Sequence, residues 1–317
     1  MTSLPVRPAH QLDLVPPEQR WLIEGLWGAE AVGILGGEPK CCKSFLALDM
    51  AVSVASATPC LRRFPVARTG RVLLFAAEDS LAVVRQRLDG ICATCDLDLA
   101  DLDLQVITAP TLRLDLELDR NRLEETVRAL RPALLVLDPF VRLHRIDENV
   151  SAEVAPLLEY LRSLQRRYQT AVVLVHHARK GGAHMRGGQA LRGSSELHAW
   201  GDSNLYLRRS GDGDQLALAI EHRAAASSTG LPLALHAVGD GLALHVDDDT
   251  EPASAAPPPS TLDRVETILA EATAPVSLKA IRAAAKMRAA TVSDALATLV
   301  TQGRARRTDG GYVPVAR

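Results

Sequence analysis

A short apolar run, Ala31–Leu35, passes into Gly37-Glu38-Pro39-Lys40-Cys41-Cys42-Lys43-Ser44 and then into the helical pattern Phe45–Ala57. Glycine followed by Lys-Ser, set between a buried strand and a helix, is close to the G-x-x-x-x-G-K-[ST] loop that wraps a phosphate chain. In such a loop, backbone N–H groups and the first helical turn face the anion. Lys43 is expected to neutralise the β- and γ-phosphates and Ser44 to hold Mg²⁺, so ATP and Mg²⁺ are the expected cofactors. Cys42 stands where the pattern has its second glycine. A side chain there costs energy if the backbone must be left-handed or lie close to phosphate.

The pattern around the loop predicts an α/β fold. Val72–Ala77, Leu104–Thr108, Leu134–Leu137 and Ala171–Val175 read as further buried strands, with helical stretches at Leu81–Cys92, Asn121–Leu130 and Ser151–Tyr168. Continuous apolar strands alternating with helices predict a mostly parallel sheet covered on both faces. After Gly201 the strands Ser203–Arg209, Gln215–His222, Leu231–Ala237 and Leu242–Val246 follow one another across short turns. That predicts antiparallel additions at one edge.

In an open parallel sheet the C-terminal strand ends line the ligand crevice. Asp138 follows Leu134–Leu137 and is expected to hold the Mg²⁺ shell beside Ser44. Glu78 follows Val72–Ala77 and is expected to act as general base for the attacking water. His176 and His177 end a third strand, with His177 favoured to sense the γ-phosphate.

The stretch Asp247–Ser260 (DDDTEPASAAPPPS) reads as a stiff linker, because its acids and prolines suit neither helix nor sheet. It separates an expected ATPase domain, 1–246, from a small domain, 261–317. The second has helical patterns at Thr261–Glu271, Ser277–Ala285 and Ala289–Thr301, then two strand-like runs around Asp309-Gly310-Gly311, the order of a winged helix. It holds 9 Lys/Arg against 5 Asp/Glu, whereas the whole chain carries a net charge of −2. That local excess predicts DNA contact through Arg288, Thr291, Ser293, Arg304, Arg306 and Arg307, with duplex as the partner. A second basic stretch, Arg179–Ser195, is rich in glycine and free of acids. Arg179, Lys180, Arg186 and Arg192 are expected to seek the phosphates of single-stranded DNA.

No apolar run is long enough to span a bilayer, and no secretory signal pattern opens the sequence, so a cytoplasmic protein without membrane contact is expected. The five cysteines include one C-x-x-C, Cys92 and Cys95, and a zinc site would need a second pair. Aromatic residues make up only 3% of the chain, so base stacking is not expected to dominate nucleic-acid binding.

Taken in order, GGEPKCCKSFLALDMA, LLFAAEDS, LLVLDP and VVLVHHARKGG resemble the RepA-like hexameric helicases of the RecA superfamily, over roughly 21–246. The resemblance implies a homo-oligomeric ring with ATP between subunits, a catalytic glutamate at Glu78 and a phosphate-sensing histidine at the end of Ala171–Val175. It also implies a central-pore DNA loop at Arg179–Ser195 and an arginine finger best matched by Arg223. Where the family often has lysine two residues earlier, this chain has Glu221. The expected function is an ATP-dependent, DNA-acting ATPase, a helicase or translocase in replication. The alternative is an ATP-gated DNA-binding regulator or a recombination mediator without motor activity.

Overall fold

The computed structural model describes residues 4–14, 16, 19–177, 195–209, 215–238, 241–247, 261–272, 274–285, 289–308 and 310–315. It divides into two compact units, Met1–Ala253 and Ser254–Arg317. Arg179, Lys180, Arg186, Arg192, Arg288 and nearly all of the expected linker lie outside the described residues.

The larger unit opens with a small hairpin, β1 (Trp21–Ile23) and β2 (Trp27–Gly28). Then come β3 (Val32–Gly37), α1 (Lys43–Ser56), β4 (Val72–Ala76), α2 (Leu81–Ala93), β5 (Leu104–Val106), α3 (Glu117–Leu130), β6 (Leu134–Asp138), α4 (Ser151–Tyr168) and β7 (Ala171–His177). A short α5 (Ser195–Trp200) leads into β8 (Ser203–Arg209), β9 (Leu216–His222), β10 (Ser228–Val238) and β11 (Gly241–Val246). Nine strands form one sheet in the order β11-β10-β9-β8-β3-β7-β6-β4-β5.

The two faces of that sheet carry two cores, as the period of two along each strand requires. Leu35, Leu74, Val136 and Val173 point to one face and pack with Leu46, Met50 and Val54 of α1 and Leu88 of α2. Ile34, Phe75, Leu137 and Leu174, each one residue away, point to the other and pack with Leu123 of α3 and Leu158 and Leu161 of α4. The expected doubly covered, mostly parallel sheet is therefore present. One element differs from the sequence reading. β8 pairs parallel with β3, Leu35 opposite Leu205, so the antiparallel extension begins only at β9. Strand direction is set by where the chain re-enters the sheet, which the strand's own residues do not encode.

The smaller unit comprises α6 (Thr261–Ala270), α7 (Leu278–Ala285), α8 (Ala289–Thr301) and a hairpin of β12 (Ala305–Thr308) and β13 (Gly311–Pro314). Ser277 Oγ accepts the Ala280 N–H at 3.2 Å and caps α7. Gly303, at φ 71°, supplies the left-handed stop after α8. Val265, Leu269, Ile281, Val292, Leu296 and Leu299 form its core.

Candidate nucleotide and metal site

β3, β4, β6 and β7 all end at the same edge of the sheet because they run parallel. The loop after β3 and the ends of the other three strands enclose a cleft of about 340 Å³. Its lining includes Lys40, Cys41, Cys42, Lys43, Ser44, Glu78, Asp138 and His177, so residues read separately from four segments meet in one place.

The loop is tightly built. A Cβ on Gly37 would stand 2.4 Å from the carbonyl oxygen of Leu207 and 2.7 Å from Cys41 Sγ, so only glycine fits there. Lys43 is buried and its Nζ donates to the carbonyl oxygens of Gly37 at 3.0 Å and Glu38 at 2.7 Å. The lysine thus sits folded against the loop whose bound phosphates it would neutralise. Cys42 has φ 61° and ψ 24°, the left-handed conformation for which glycine is the usual residue. Lys40 is left-handed as well, at φ 63°. A single non-glycine residue in that region costs about 1 kcal/mol. Cys41 is fully buried, and burial raises its thiol pKa despite the nearby Lys43 ammonium.

Asp138 is the most electrostatically perturbed group lining the cleft. Burial pushes its carboxyl up to about 6; the neighbouring Ser44 hydroxyl and the charge of Lys43 pull it down, while Asp79 and Glu78 push it up. The Ser44 hydroxyl and the desolvated Asp138 carboxylate are neighbouring hard oxygen donors, whereas Asp79 and Glu78 close by are already paired with Arg87 and Arg142. That donor set fits Mg²⁺. Ser44 and Asp138 would hold the ion, directly or through its waters.

Glu78 and His177 face each other, with His177 Nε2 4.0 Å from Glu78 Oε2. Burial first and then Lys43 lower the His177 pKa, against the opposing field of Glu78, so the imidazole favours its neutral form. A neutral ring can donate one hydrogen bond to a phosphate and accept another from water.

Three cations at or beside the cleft were not evident from sequence. Arg87 lines it, pairs with Asp79 and lies 5.1 Å over the Phe45 ring. Arg142 Nε donates to Glu78 Oε1 at 3.1 Å. Arg209, at the end of β8, donates to the carbonyl of Lys40 at 3.1 Å. None belongs to a spacing motif, and each becomes visible only when the sheet aligns the strand ends.

Arg223 is not brought to this cleft. β9 runs against β8, so its end lies at the opposite edge of the sheet from the phosphate loop. There the Arg223 guanidinium donates to the Ala199 carbonyl and lies 3.8 Å from Asp202 Oδ1. Trp200 packs against the α4 side of the sheet, with the Arg162 guanidinium 5.9 Å over its ring. In the smaller unit Arg306 and Arg307 are exposed, whereas Arg304 Nε donates to Glu266 Oε1 at 2.9 Å. Cys92 is buried on α2 and pushed up to about 11 by desolvation, and Cys95 lies just beyond the helix. Among the described residues no group of three or more His, Cys, Asp or Glu side chains is gathered to hold a metal. Among the same residues no helix is long and apolar enough to cross a membrane.

Fold and cleft together fit a P-loop ATPase built on a RecA-like sheet. The chain belongs to the AAA domain family, whose model matches residues 3–183. Its fold is similar to that of a DnaB-like replicative helicase, with a TM-score of 0.51 at 14% identity, covering 68% of this chain and 57% of the helicase chain. The KaiC-like protein PH0186 from the archaeon Pyrococcus horikoshii OT3 aligns over 71% of this chain and 93% of its own, with a TM-score of 0.48 and 14% identity.

Proposed function

We propose that this chain hydrolyses ATP with Mg²⁺ and uses the cycle to act on DNA as a RepA-like helicase or translocase, working as a homo-oligomer. The observation that carries the reading is the meeting of Lys43, Ser44, Asp138, Glu78 and His177 around one cleft. In this reading Lys43 leaves the loop carbonyls for the β- and γ-phosphates. Ser44 and Asp138 hold Mg²⁺, which when bound offsets phosphate charge. Glu78 takes a proton from the attacking water, and neutral His177 bonds the terminal phosphate and responds to its loss. Arg223 serves a neighbouring copy's cleft, which suits its place at the far edge of the sheet. Arg179, Lys180, Arg186 and Arg192 contact single-stranded DNA. The smaller unit acts as a winged helix on duplex. The fold likeness to a DnaB-like replicative helicase supports the motor reading.

Left-handed Cys42 favours one alternative, since strain in the phosphate loop suits slow turnover. In it the chain is an ATP-gated DNA-binding regulator. Steady-state ATP hydrolysis by wild type and Lys43→Ala, with and without single-stranded DNA, separates the two. The motor reading expects DNA-stimulated turnover that Lys43→Ala abolishes. Wild-type turnover no faster than that of Lys43→Ala, with ATP binding intact, would sink the motor reading and leave the regulator.

A further inference from the structure

The chain leaves β6 through Pro139 into a single tight turn, Phe140–Arg142, that is fixed on both sides. Phe140 is fully buried, its ring 5.9 Å from that of His176 on β7 and 4.3 Å from that of His144. His144 is buried as well, with Nε2 3.3 Å from Glu148 Oε1. Leu143 is buried, and its carbonyl accepts the Leu114 N–H at 2.6 Å. Between these anchors Val141 and Arg142 are turned outward, and Arg142 has 61% of its side chain exposed. Its N–H bonds back to Pro139 O at 3.1 Å, so the backbone that presents it is set.

From that fixed base the guanidinium reaches the end of β4. Arg142 Nε donates to Glu78 Oε1 at 3.1 Å, and Glu78 Oε2 faces His177. The carboxylate is thus held by one oxygen, with the other directed to the side where His177 stands. An exposed ion pair adds little to folding, so the contact is better explained by what it does to the carboxylate than by stability. A general base is efficient only while its oxygen is aimed at the proton it takes, and a free glutamate side chain spreads over several rotamers.

We infer that Arg142 is a positioning residue for ATP hydrolysis, orienting Glu78 from the turn that follows the metal-binding strand. The inference rests on the proposed role of Glu78 as general base. Arg142 need not touch nucleotide, so its loss lowers kcat and leaves substrate binding alone.

The test compares full-length wild type with Arg142→Ala, Arg142→Lys, Arg142→Gln, Glu78→Gln and the double variant Arg142→Ala/Glu78→Gln. ATP turnover, KM and the affinity for a fluorescent ADP analogue are measured on each, with melting curves to show that each folds. The expected result is a fall in kcat of about tenfold for Arg142→Ala, with KM and ADP affinity within twofold. Lysine restores much of the rate because it keeps charge and donor; glutamine, which keeps shape, does not. On the Glu78→Gln background, Arg142→Ala has no further effect. Near-wild-type kcat in both Arg142→Ala and Arg142→Gln overturns the inference, as does a raised KM at unchanged kcat, which would make Arg142 a nucleotide contact. Wild-type turnover by Glu78→Gln overturns the general-base reading itself. An inactive Glu78→Gln beside a normal Arg142→Ala removes only the role of Arg142.

Discussion

The Ser44 hydroxyl, on the first turn of α1, lies beside the carboxylate of Asp138 at the end of β6 and favours its ionised form. This proximity joins the phosphate loop to the strand that would hold the metal. It leaves Asp138 in a site where its charge is poorly compensated. The folded protein holds the Asp138 proton more tightly than the unfolded chain does, at about 6 against an ordinary 3.8. The sign follows from linkage. Below pH 4 both states are protonated and the group has no effect; as pH rises from 4 to 6 a destabilisation accrues, and above 6 it is constant, on the order of 2–3 kcal/mol. Asp138→Asn is therefore expected to be more stable than wild type at pH 8 in the absence of Mg²⁺, by roughly that amount. The advantage should be about half as large at pH 5. ATP turnover should be lost. Urea unfolding in EDTA at the two pH values measures it; an equal gain at both would mean that packing, not charge, is responsible.

Cys42 carries the second strain in the site. Its φ of 61° places a Cβ where the backbone favours none. Cys42→Gly removes a cost of about 1 kcal/mol, part of which is returned by the greater freedom of glycine in the unfolded chain. Stability should rise by up to about 1 kcal/mol, and ATP should bind at least as tightly as to wild type. Denaturant midpoints and nucleotide titrations check both; a less stable Cys42→Gly would mean that the thiol makes contacts worth more than the strain.

How much of this site was legible beforehand depended on whether a residue belongs to a local pattern. Lys43 and Ser44 were readable because a strand, a glycine and a helix surround them within one short stretch. Glu78, Asp138 and His177 were readable because each ends an apolar run, and parallel strands place such ends together. Arg142 and Arg87 had no such signature. Arg142 is 64 residues from Glu78, and the pairing arises only because β4 and β6 are neighbours in the sheet. Asp49 and Arg62 were hidden for a related reason: an aspartate inside an apolar helix reads as an exposed break in the pattern until the following loop is seen folding back onto it.

That pair gives a stability prediction away from the chemistry. Asp49 is fully buried on α1, accepts the Leu61 N–H at 2.7 Å and is paired with Arg62. Burial raises its carboxyl pKa and Arg62 opposes that rise. Removing one partner of a buried ion pair leaves a desolvated charge and costs about 3–5 kcal/mol. Arg62→Ala is expected to lose about that much, whereas Asp49→Asn/Arg62→Met, which removes both charges, should lose much less. Calorimetry on the two variants tests it; similar losses would show that the loop's backbone geometry, not its charge, is what matters.

The smaller unit separates arginines that look alike in sequence. Arg306 and Arg307 stand exposed on β12, while Arg304 is held by Glu266 of α6. If this unit binds duplex through its hairpin, Arg306→Ala and Arg307→Ala should each weaken binding uniformly across DNA sequences. Each should also lower the slope of log affinity against log salt by about 1, the signature of one lost phosphate contact. Arg304→Ala should leave that slope nearly unchanged and instead lower the melting temperature of the unit, because its guanidinium is already engaged. Fluorescence anisotropy with a labelled duplex at several salt concentrations, beside melting curves of the same variants, provides both readouts. An Arg304 variant with the largest change in slope would mean that DNA displaces Glu266, and that α6, rather than the exposed hairpin alone, forms part of the binding surface.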